Sequence, residues 1–206
     1  LCVMKEAGTI KRIVVLLNSS NAIQMDFLKE YDIDACLWMG ILGESGINAV
    51  ADILAGNVNP SGSLADTYCY NNYSAPAMWN FVPLAYDAPK GAIPSSAAKY
   101  SVYQEGIYIG YKYYETRYED SVMRTGNAGD FDYEATVAFP FGYGLSYTEF
   151  AYSDMAVNYN AESDQYEVNV TVTNTGDRAG KETVQIYVQT PYTQYDIDNG
   201  VEKASV

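Results

Sequence analysis

The sequence predicts an α/β domain with an open, mostly parallel sheet and helices beside it, followed by part of an all-β sandwich. Two short apolar runs with a helical pattern between them indicate the parallel sheet. After Phe150 apolar and polar residues alternate strictly, which is typical of antiparallel strands with one face in water. We therefore expect an α/β domain over residues 1–150 and an incomplete β domain over residues 151–206.

The α/β domain begins with a strand, a helix and a second strand. Ile13–Leu17 is a continuous apolar run, the pattern of a strand that is covered on both faces. Ser20 or Asn21 is the candidate N-cap of the following helix, with Gln24 three residues after Asn21 as in a capping box. Ala35–Met39 then repeats the pattern of a buried strand. The apolar stripe of the helix consists of Ile23, Phe27 and Leu28.

A glycine-rich loop and a second helix follow. Gly40–Gly46 has the spacing G-x-x-G-x-x-G and leads into a helix that Gly56 is placed to end. Asn59–Gly62 is predicted to form a turn. Because strands and helices follow one another in this order, we expect a parallel sheet with crossover connections. The apolar face of this second helix carries Ile47, Val50, Ala51 and Leu54.

Residues Ala65 to Phe150 show neither helical nor strand periodicity. So long an irregular stretch in a compact domain is usually functional or wraps a neighbour. It contains a tyrosine-rich segment, Tyr103–Tyr118, which we expect to pack against a neighbouring domain, with stacking on sugar rings as the alternative. The first half of the stretch is interrupted by Pro76, Pro83, Pro89 and Pro94.

The end of the chain predicts antiparallel strands. Tyr166–Thr173 and Thr183–Gln189 both alternate, and Asn174–Asp177 supplies a turn between them. A seven-stranded sandwich takes about 100 residues, whereas 206 − 150 = 56 residues follow Phe150. Only the first strands of such a domain are therefore expected.

Composition excludes several function classes. The 26 acidic and 12 basic residues give a net charge of −14, which argues against a nucleic-acid partner. Without histidine, the chain cannot build a Ser-His-Asp or Cys-His nucleophile or a histidine zinc site by itself. The three cysteines lack metal-binding spacing, and no apolar run is long enough to span a membrane. We expect no cofactor, no metal and no membrane partner, and acid–base chemistry limited to carboxylates, Lys, Tyr or Cys.

Two residues beside the glycine loop are candidate site residues. Glu44 either stabilises the N-terminus of the second helix as a carboxylate or lines the carboxyl edge of a parallel sheet, where ligands bind. Trp38 ends the second strand and is either a core residue or a lining residue for a ligand. The glycine spacing matches neither the dinucleotide fingerprint nor a P-loop, and Glu44 would repel a phosphate. No complete catalytic constellation appears in the sequence.

Four segments of the chain carry sequence motifs in a fixed order. The first is Trp38–Gly62, with its glycines and the sequence NPSG, and the second is EGIYIGYKYY at Glu105–Tyr114. The third is FPFGYGLSYT at Phe139–Thr148, and the fourth, within Val172–Val188, contains VTNTGD, AGKE and VQIYV. Together they resemble the signatures of glycoside hydrolase family 3, the family of β-glucosidases and β-xylosidases. The last segment is similar to the fibronectin type III-like module of that family. The resemblance covers most of the chain.

The resemblance implies part of a retaining β-glycosidase, of β-glucosidase type, that cleaves terminal non-reducing β-linked sugars with two carboxylates. In that family the nucleophilic Asp lies on a TIM-like barrel and the acid/base Glu on a loop that has no match in this chain. We therefore assign no catalytic residue here, and only substrate binding to Glu44 and Trp38. The implied partners are a carbohydrate substrate and the TIM-like barrel of the same protein, and an oligomer is left open.

Departures from the family pattern at Ile41–Leu42, Ser45 and Ala65–Asp66 leave the sugar unassigned. The chain is most similar to members in which the barrel comes last, so we expect the barrel after Val206. Because both catalytic carboxylates are expected elsewhere, we expect no activity from the isolated chain. Two other hypotheses remain. A non-catalytic carbohydrate-binding or scaffold module would bind sugar by itself through Tyr103–Tyr118, and a small nucleotide-dependent enzyme would require a cofactor.

Overall fold

The computed structural model describes residues 1–82, 84–85, 99–125 and 129–204. Pro83, Pro89 and Pro94, which the sequence places in the irregular stretch, lie outside the described residues. The chain divides into two compact units. Unit 1 comprises Leu1–Gly40, Ala65–Phe141 and Ile186–Val206, and unit 2 comprises Ile41–Leu64 and Gly142–Gln185. The domain boundary expected near residue 150 stays a prediction.

The regular elements are short, apart from one helix and one hairpin. In chain order they are α1 (Cys2–Glu6), β1 (Val14–Leu17), α2 (Asp26–Glu30), β2 (Ala35–Trp38), α3 (Ile47–Leu54), β3 (Tyr68–Cys69), β4 (Leu84–Ala85), β5 (Lys99–Tyr100), α4 (Tyr111–Met123), α5 (Tyr133–Thr136), β6 (Val137–Phe139), β7 (Phe150–Asn160), β8 (Gln165–Asn174) and α6 (Gln194–Asp198). Elements α3, β7 and β8 belong to unit 2, and the others belong to unit 1. Within the described ranges, no helix combines the length and apolarity needed to cross a bilayer.

Strands β1 and β2 form the predicted parallel pair, in the register Val14 opposite Ala35 to Leu17 opposite Trp38. The expectation that β1 is covered on both faces is wrong in this structure. Leu17 is buried, but 46% of Val14 and 39% of Leu16 are exposed. Among the described residues the sheet has two strands, and α1 and α2 have five residues each, so little of the described apolar surface is available to cover the second face.

Helix α2 begins later than the sequence predicts. Neither Ser20 nor Asn21 caps it, because Met25 occupies the N-cap position. The Gln24 side chain does not close a capping box; its amide donates to a carboxylate oxygen of Asp26 at 2.7 Å. The backbone N–H of Met25 donates to the carbonyl of Cys69 in β3 at 2.9 Å, so a tertiary contact fixes the start of this helix.

The stretch from Ala65 to Phe150, which shows no periodicity in sequence, contains the longest helix among the described residues. Helix α4 runs for 13 residues through the tyrosine-rich segment. Its Tyr114 is 3% exposed and packs with Cys69 and Val137 in the core of unit 1. Strands β3 and β6 pair antiparallel beside it. The partly buried side chains around this core are Ala75, Tyr113, Phe131 and Tyr133.

Helix α3 of unit 2 follows the glycine loop as predicted, and Gly56 adopts a positive φ of 76° just after its end. Of its expected apolar face, only Val50 is buried. Residues Asn59–Gly62 do not form the predicted turn. The Asn59 side chain instead makes hydrogen bonds to distant segments of unit 2.

Strands β7 and β8 form an antiparallel hairpin with a bulge between Ser153 and Ala156. The predicted strand Tyr166–Thr173 is therefore confirmed within β8, but its partner is β7 and not the predicted Thr183–Gln189. That second segment forms no strand in this structure. Among the described residues no further strand lies beside it, and an alternating sequence without a neighbour has no ladder to join.

Candidate functional site

Trp38 lies at the last position of β2, in unit 1. Its indole N–H donates to the carbonyl of Ser19 at 2.9 Å, which ties the end of β2 to the loop after β1. Trp38 is 39% exposed, so the interpretation as a core residue does not hold in this structure. A Cβ on Gly40, which has a φ of 62°, would lie 3.4 Å from the indole ring. The backbone therefore passes close to one side of a ring that is oriented by its own hydrogen bond.

Glu44 lies in unit 2, in the turn between Ile41 and α3. Gly46 is the N-cap of α3 and provides no side-chain cap, and the first turn of the helix holds no acidic residue. Glu44 thus precedes the helix rather than lying within its first turn. Its side chain is exposed and makes no hydrogen bond or ion pair with the described residues. A carboxylate without a protein partner retains all its capacity to accept hydrogen bonds from a ligand.

The tyrosine-rich segment is used mainly inside unit 1. The Tyr114 hydroxyl lies 2.9 Å from the Ser74 hydroxyl, and burial raises the pKa of Tyr114 above its usual range. The Tyr133 hydroxyl donates to Glu115 of α4 at 2.5 Å, and burial together with this bond raises the pKa of Tyr133. The expectation of packing against a neighbouring domain is therefore wrong for Tyr114. Tyr103, which is 84% exposed, remains available to a partner.

A polar junction inside unit 2 was not predicted from the sequence. The Asn59 side-chain oxygen accepts from the Ser146 hydroxyl at 2.9 Å and from the Tyr147 N–H at 2.7 Å, while its nitrogen donates to the Ala179 carbonyl at 3.0 Å. The Tyr147 hydroxyl in turn donates to the carbonyl of Ile53 in α3 at 3.0 Å. Three motif segments that are far apart in sequence are joined here. The asparagine of the NPSG motif was the one sequence feature that pointed to this junction.

A second asparagine organises the end of β8. The Asn174 side-chain oxygen accepts from the Thr148 hydroxyl at 2.7 Å and from the Gly176 N–H at 3.0 Å. Its nitrogen donates to the Arg178 carbonyl at 2.7 Å. The TNTGD motif thus makes an asparagine-stabilised turn against the last residues of FPFGYGLSYT, which is a structural role and not a catalytic one.

Two cavities in the described part of the structure have neither Trp38 nor Glu44 in their walls. The larger, about 970 Å³, lies between the second half of α4 and residues 189–204. At its wall the Lys203 ammonium lies 2.6 Å from Asp120 and 3.2 Å from Glu119. A smaller cavity of about 380 Å³ lies beside α2 and includes Lys29 and Tyr70. In the part of the chain that the structure describes, no three His, Cys, Asp or Glu side chains group as metal ligands would.

Comparison with known proteins accounts for the motifs. Residues 2–111 match the family described as Glycosyl hydrolase family 3 C-terminal domain. A β-glucosidase of Ruminococcus albus is 32% identical over 187 residues, which is 91% of this chain and 16% of that protein. Thermostable β-glucosidase B of Acetivibrio thermocellus is 35% identical over 179 residues, 86% of this chain and 20% of that protein.

A solved structure gives the same result. β-Glucosidase 3B from Thermotoga neapolitana, in complex with α-D-glucose, superposes with a TM-score of 0.61 at 32% identity, over 85% of this chain and 20% of that one. These similarities confirm the predicted fold class, an α/β domain followed by a sandwich. This chain spans a fifth or less of the length of these relatives. The chain belongs to glycoside hydrolase family 3, and its first half matches the C-terminal domain of that family.

Proposed function

We propose that this chain is part of a retaining β-glucosidase-type glycosidase that cleaves terminal non-reducing β-linked sugars. In this proposal the chain covers the active site of a barrel-type domain, and both catalytic carboxylates lie outside residues 1–206. The observation that carries the proposal is similarity at 32–35% identity over nearly the whole chain to proteins named β-glucosidases.

The surroundings of Glu44 support a substrate-binding role over a catalytic one. A nucleophile or general acid must be held in place by neighbouring groups. No described side chain holds the Glu44 carboxylate, which lies in water. Sugar hydroxyls donate hydrogen bonds, and a free carboxylate accepts them strongly. Glu44 is thus proposed to bind substrate hydroxyls.

Trp38 offers the second type of contact that a sugar uses. One side of its ring faces the backbone at Gly40, and its N–H is already bonded to Ser19, so the exposed part of the indole presents apolar surface. The apolar face of a pyranose ring packs on such a surface. Trp38 is proposed to contact the sugar from unit 1, independently of Glu44 in unit 2.

Kinetics of the longer protein that carries this chain test these roles. With an aryl β-glucoside, Glu44→Gln is expected to raise KM about tenfold and to change kcat less than about threefold, because it weakens binding of substrate and transition state alike. Glu162→Gln, which changes another exposed carboxylate in unit 2, is the matched control and is expected to leave both constants unchanged. An unchanged KM would remove Glu44 from the site, and a loss of kcat by a factor of about a thousand would make it catalytic.

A further inference from the structure

The C-terminal end of helix α6, in unit 1, carries the one Asn–Gly pair of the sequence, Asn199–Gly200. Both residues are exposed to water. The side-chain amide of an asparagine is open to attack by the backbone nitrogen of the next residue, and glycine has no Cβ to hinder that approach. Every other asparagine of the chain is followed by a residue that has a side chain. Asn199 is therefore the asparagine whose sequence context most favours this reaction.

The end of the helix requires glycine at this position. Gly200 has a φ of 65°, a left-handed conformation that glycine adopts without strain. Its N–H donates to the carbonyl of Ile197 at 3.2 Å, and the N–H of Val201 donates to the carbonyl of Asp196 at 2.9 Å. These two bonds have the pattern of a Schellman motif, a common way for a helix to end on a glycine. Because Asn199 precedes that glycine, the helix end itself creates the reactive pair.

The intact helix end keeps the two reacting groups apart. The side-chain nitrogen of Asn199 donates to the carbonyl of Tyr195 at 2.7 Å, which holds the amide on the last turn of α6. The N–H of Gly200 is engaged with Ile197. Both bonds must break before the Gly200 nitrogen can reach Cγ of Asn199. Since α6 has only five residues, a local opening of the helix breaks both bonds without unfolding the rest of unit 1.

We propose that Asn199 is a deamidation site whose rate is set by the opening of α6. The Gly200 nitrogen gives up its proton to water and bonds to Cγ of Asn199. The bond between Cγ and Nδ2 breaks, and Nδ2 takes up a proton and leaves as ammonia. Water then opens the resulting succinimide ring. Opening at the side-chain carbonyl gives aspartate, and opening at the backbone carbonyl gives isoaspartate, in which the main chain continues through the side chain.

Both products weaken the end of α6. The donor to the Tyr195 carbonyl is lost, and the new carboxylate lies beside the last carbonyl oxygens of the helix, which repel a negative charge. Isoaspartate also lengthens the backbone ahead of Lys203, whose ammonium lies 2.6 Å from Asp120 of α4. Deamidation at Asn199 therefore loosens the segment that this ion pair ties to α4.

Peptide mass spectrometry of the longer protein that carries this chain tests the site. The protein is incubated at mildly alkaline pH, both folded and unfolded in urea, and the conversion of each asparagine to acid is followed with time. In urea, Asn199 is expected to convert faster than any other asparagine of residues 1–206. In the folded protein it is expected to convert about ten- to a hundredfold more slowly. A faster asparagine elsewhere, equal rates in the two states, or no conversion in the folded protein would each overturn the proposal.

A variant at the other end of α6 tests whether the helix controls the rate. The hydroxyl and the N–H of Thr193 both donate to the Asp196 carboxylate at 2.7 Å. Thr193→Ala removes the hydroxyl bond and is expected to speed deamidation of Asn199 about fivefold in the folded protein, while leaving the rate in urea unchanged. Thr183→Ala, which changes an exposed threonine outside α6, is the matched control and is expected to change neither rate. Equal rates for the two folded variants would overturn the control by α6.

Discussion

The side-chain nitrogen of Asn59 donates a hydrogen bond to the carbonyl oxygen of Ala179 at 3.0 Å, across 120 residues of sequence. The oxygen of the same amide accepts from Ser146 and Tyr147. One asparagine therefore uses both ends of its side chain to join the segment after α3, the FPFGYGLSYT motif and the turn that follows β8. Asn59 thus links three segments of unit 2 that are far apart in sequence.

Replacing Asn59 by alanine is expected to lower the free energy of unfolding by about 2 kcal/mol, because three hydrogen bonds are lost at once from a partly buried side chain. Urea unfolding of the protein and its variant measures the difference. Asn57→Ala is the matched control, since Asn57 makes one exposed bond, to Asp52 at 3.2 Å. If both variants lose the same stability, Asn59 has no special part in unit 2.

Gly144 lies close to Gly62, and alanine substitutions at these two positions are expected to change the stability of the protein differently. A Cβ on Gly144 would lie 2.5 Å from the Gly62 carbonyl oxygen, whereas a Cβ on Gly62 would meet no atom within 4 Å. Gly144→Ala is expected to destabilise the protein by about 1–3 kcal/mol because backbone must move. Gly62→Ala is expected to be neutral or slightly stabilising, since it restricts the unfolded chain. Thermal unfolding of the two variants compares them, and equal effects would contradict the packing described here.

Asp34 gives unit 1 a pH dependence. The hydrogen bond from the Ile13 N–H at 2.8 Å, together with Lys5 and Arg12, holds the pKa of the Asp34 carboxyl well below its usual value of 3.8. A group whose pKa is lower in the folded state stabilises the fold above its unfolded pKa, and this contribution is lost as the pH falls toward the folded value.

The unfolding temperature of Asp34→Asn is therefore expected to lie below that of the unchanged protein at neutral pH, with the gap closing as the pH falls below about 4. Asp32→Asn is the control, because Asp32 is exposed and bonds only to Lys5. A gap for Asp34→Asn that is the same at pH 7 and pH 3 would show that its carboxylate charge does not matter.

The parallel pair β1 and β2 and helix α3 were predictable because their signals are local. A continuous apolar run and a glycine just past a helix end act within a few residues. The start of α2 was not predictable in this way, since the bond from Met25 to Cys69 outweighs the local caps at Ser20 and Asn21. Tertiary contacts decide where such short helices begin.

Helix α4 was missed because its buried positions hold Tyr114 and Thr116 instead of aliphatic residues. The segment from Tyr111 to Met123 contains neither Gly nor Pro, which was the available signal for a helix. Tyrosine occurs both in protein cores and on protein surfaces, so the residue type alone did not reveal that Tyr114 is a core residue. The hydroxyls of Ser74 and Tyr114 satisfy each other, which makes burial of such a ring acceptable.

Thr183–Gln189 was predicted as a strand but forms none in this structure. Its alternation is strong, but a strand exists only beside another strand, and the described residues offer it none. For the candidate site, the sequence correctly placed Glu44 on a loop and Trp38 at the end of a strand. Their roles in binding substrate stay predictions. The NPSG motif marked Asn59, but the sequence did not identify its hydrogen-bond partners, because they lie up to 120 residues away.

Covalent trapping tests the central claim most directly for the nucleophile, which is proposed to lie outside this chain. A retaining glycosidase forms a glycosyl–enzyme intermediate, which a 2-deoxy-2-fluoro-β-glucoside with a good leaving group lets accumulate. The longer protein is treated with this reagent, digested, and its labelled peptide located by mass spectrometry. We expect one labelled Asp or Glu outside residues 1–206. A label on any carboxylate of this chain, Glu44 included, would contradict the claim.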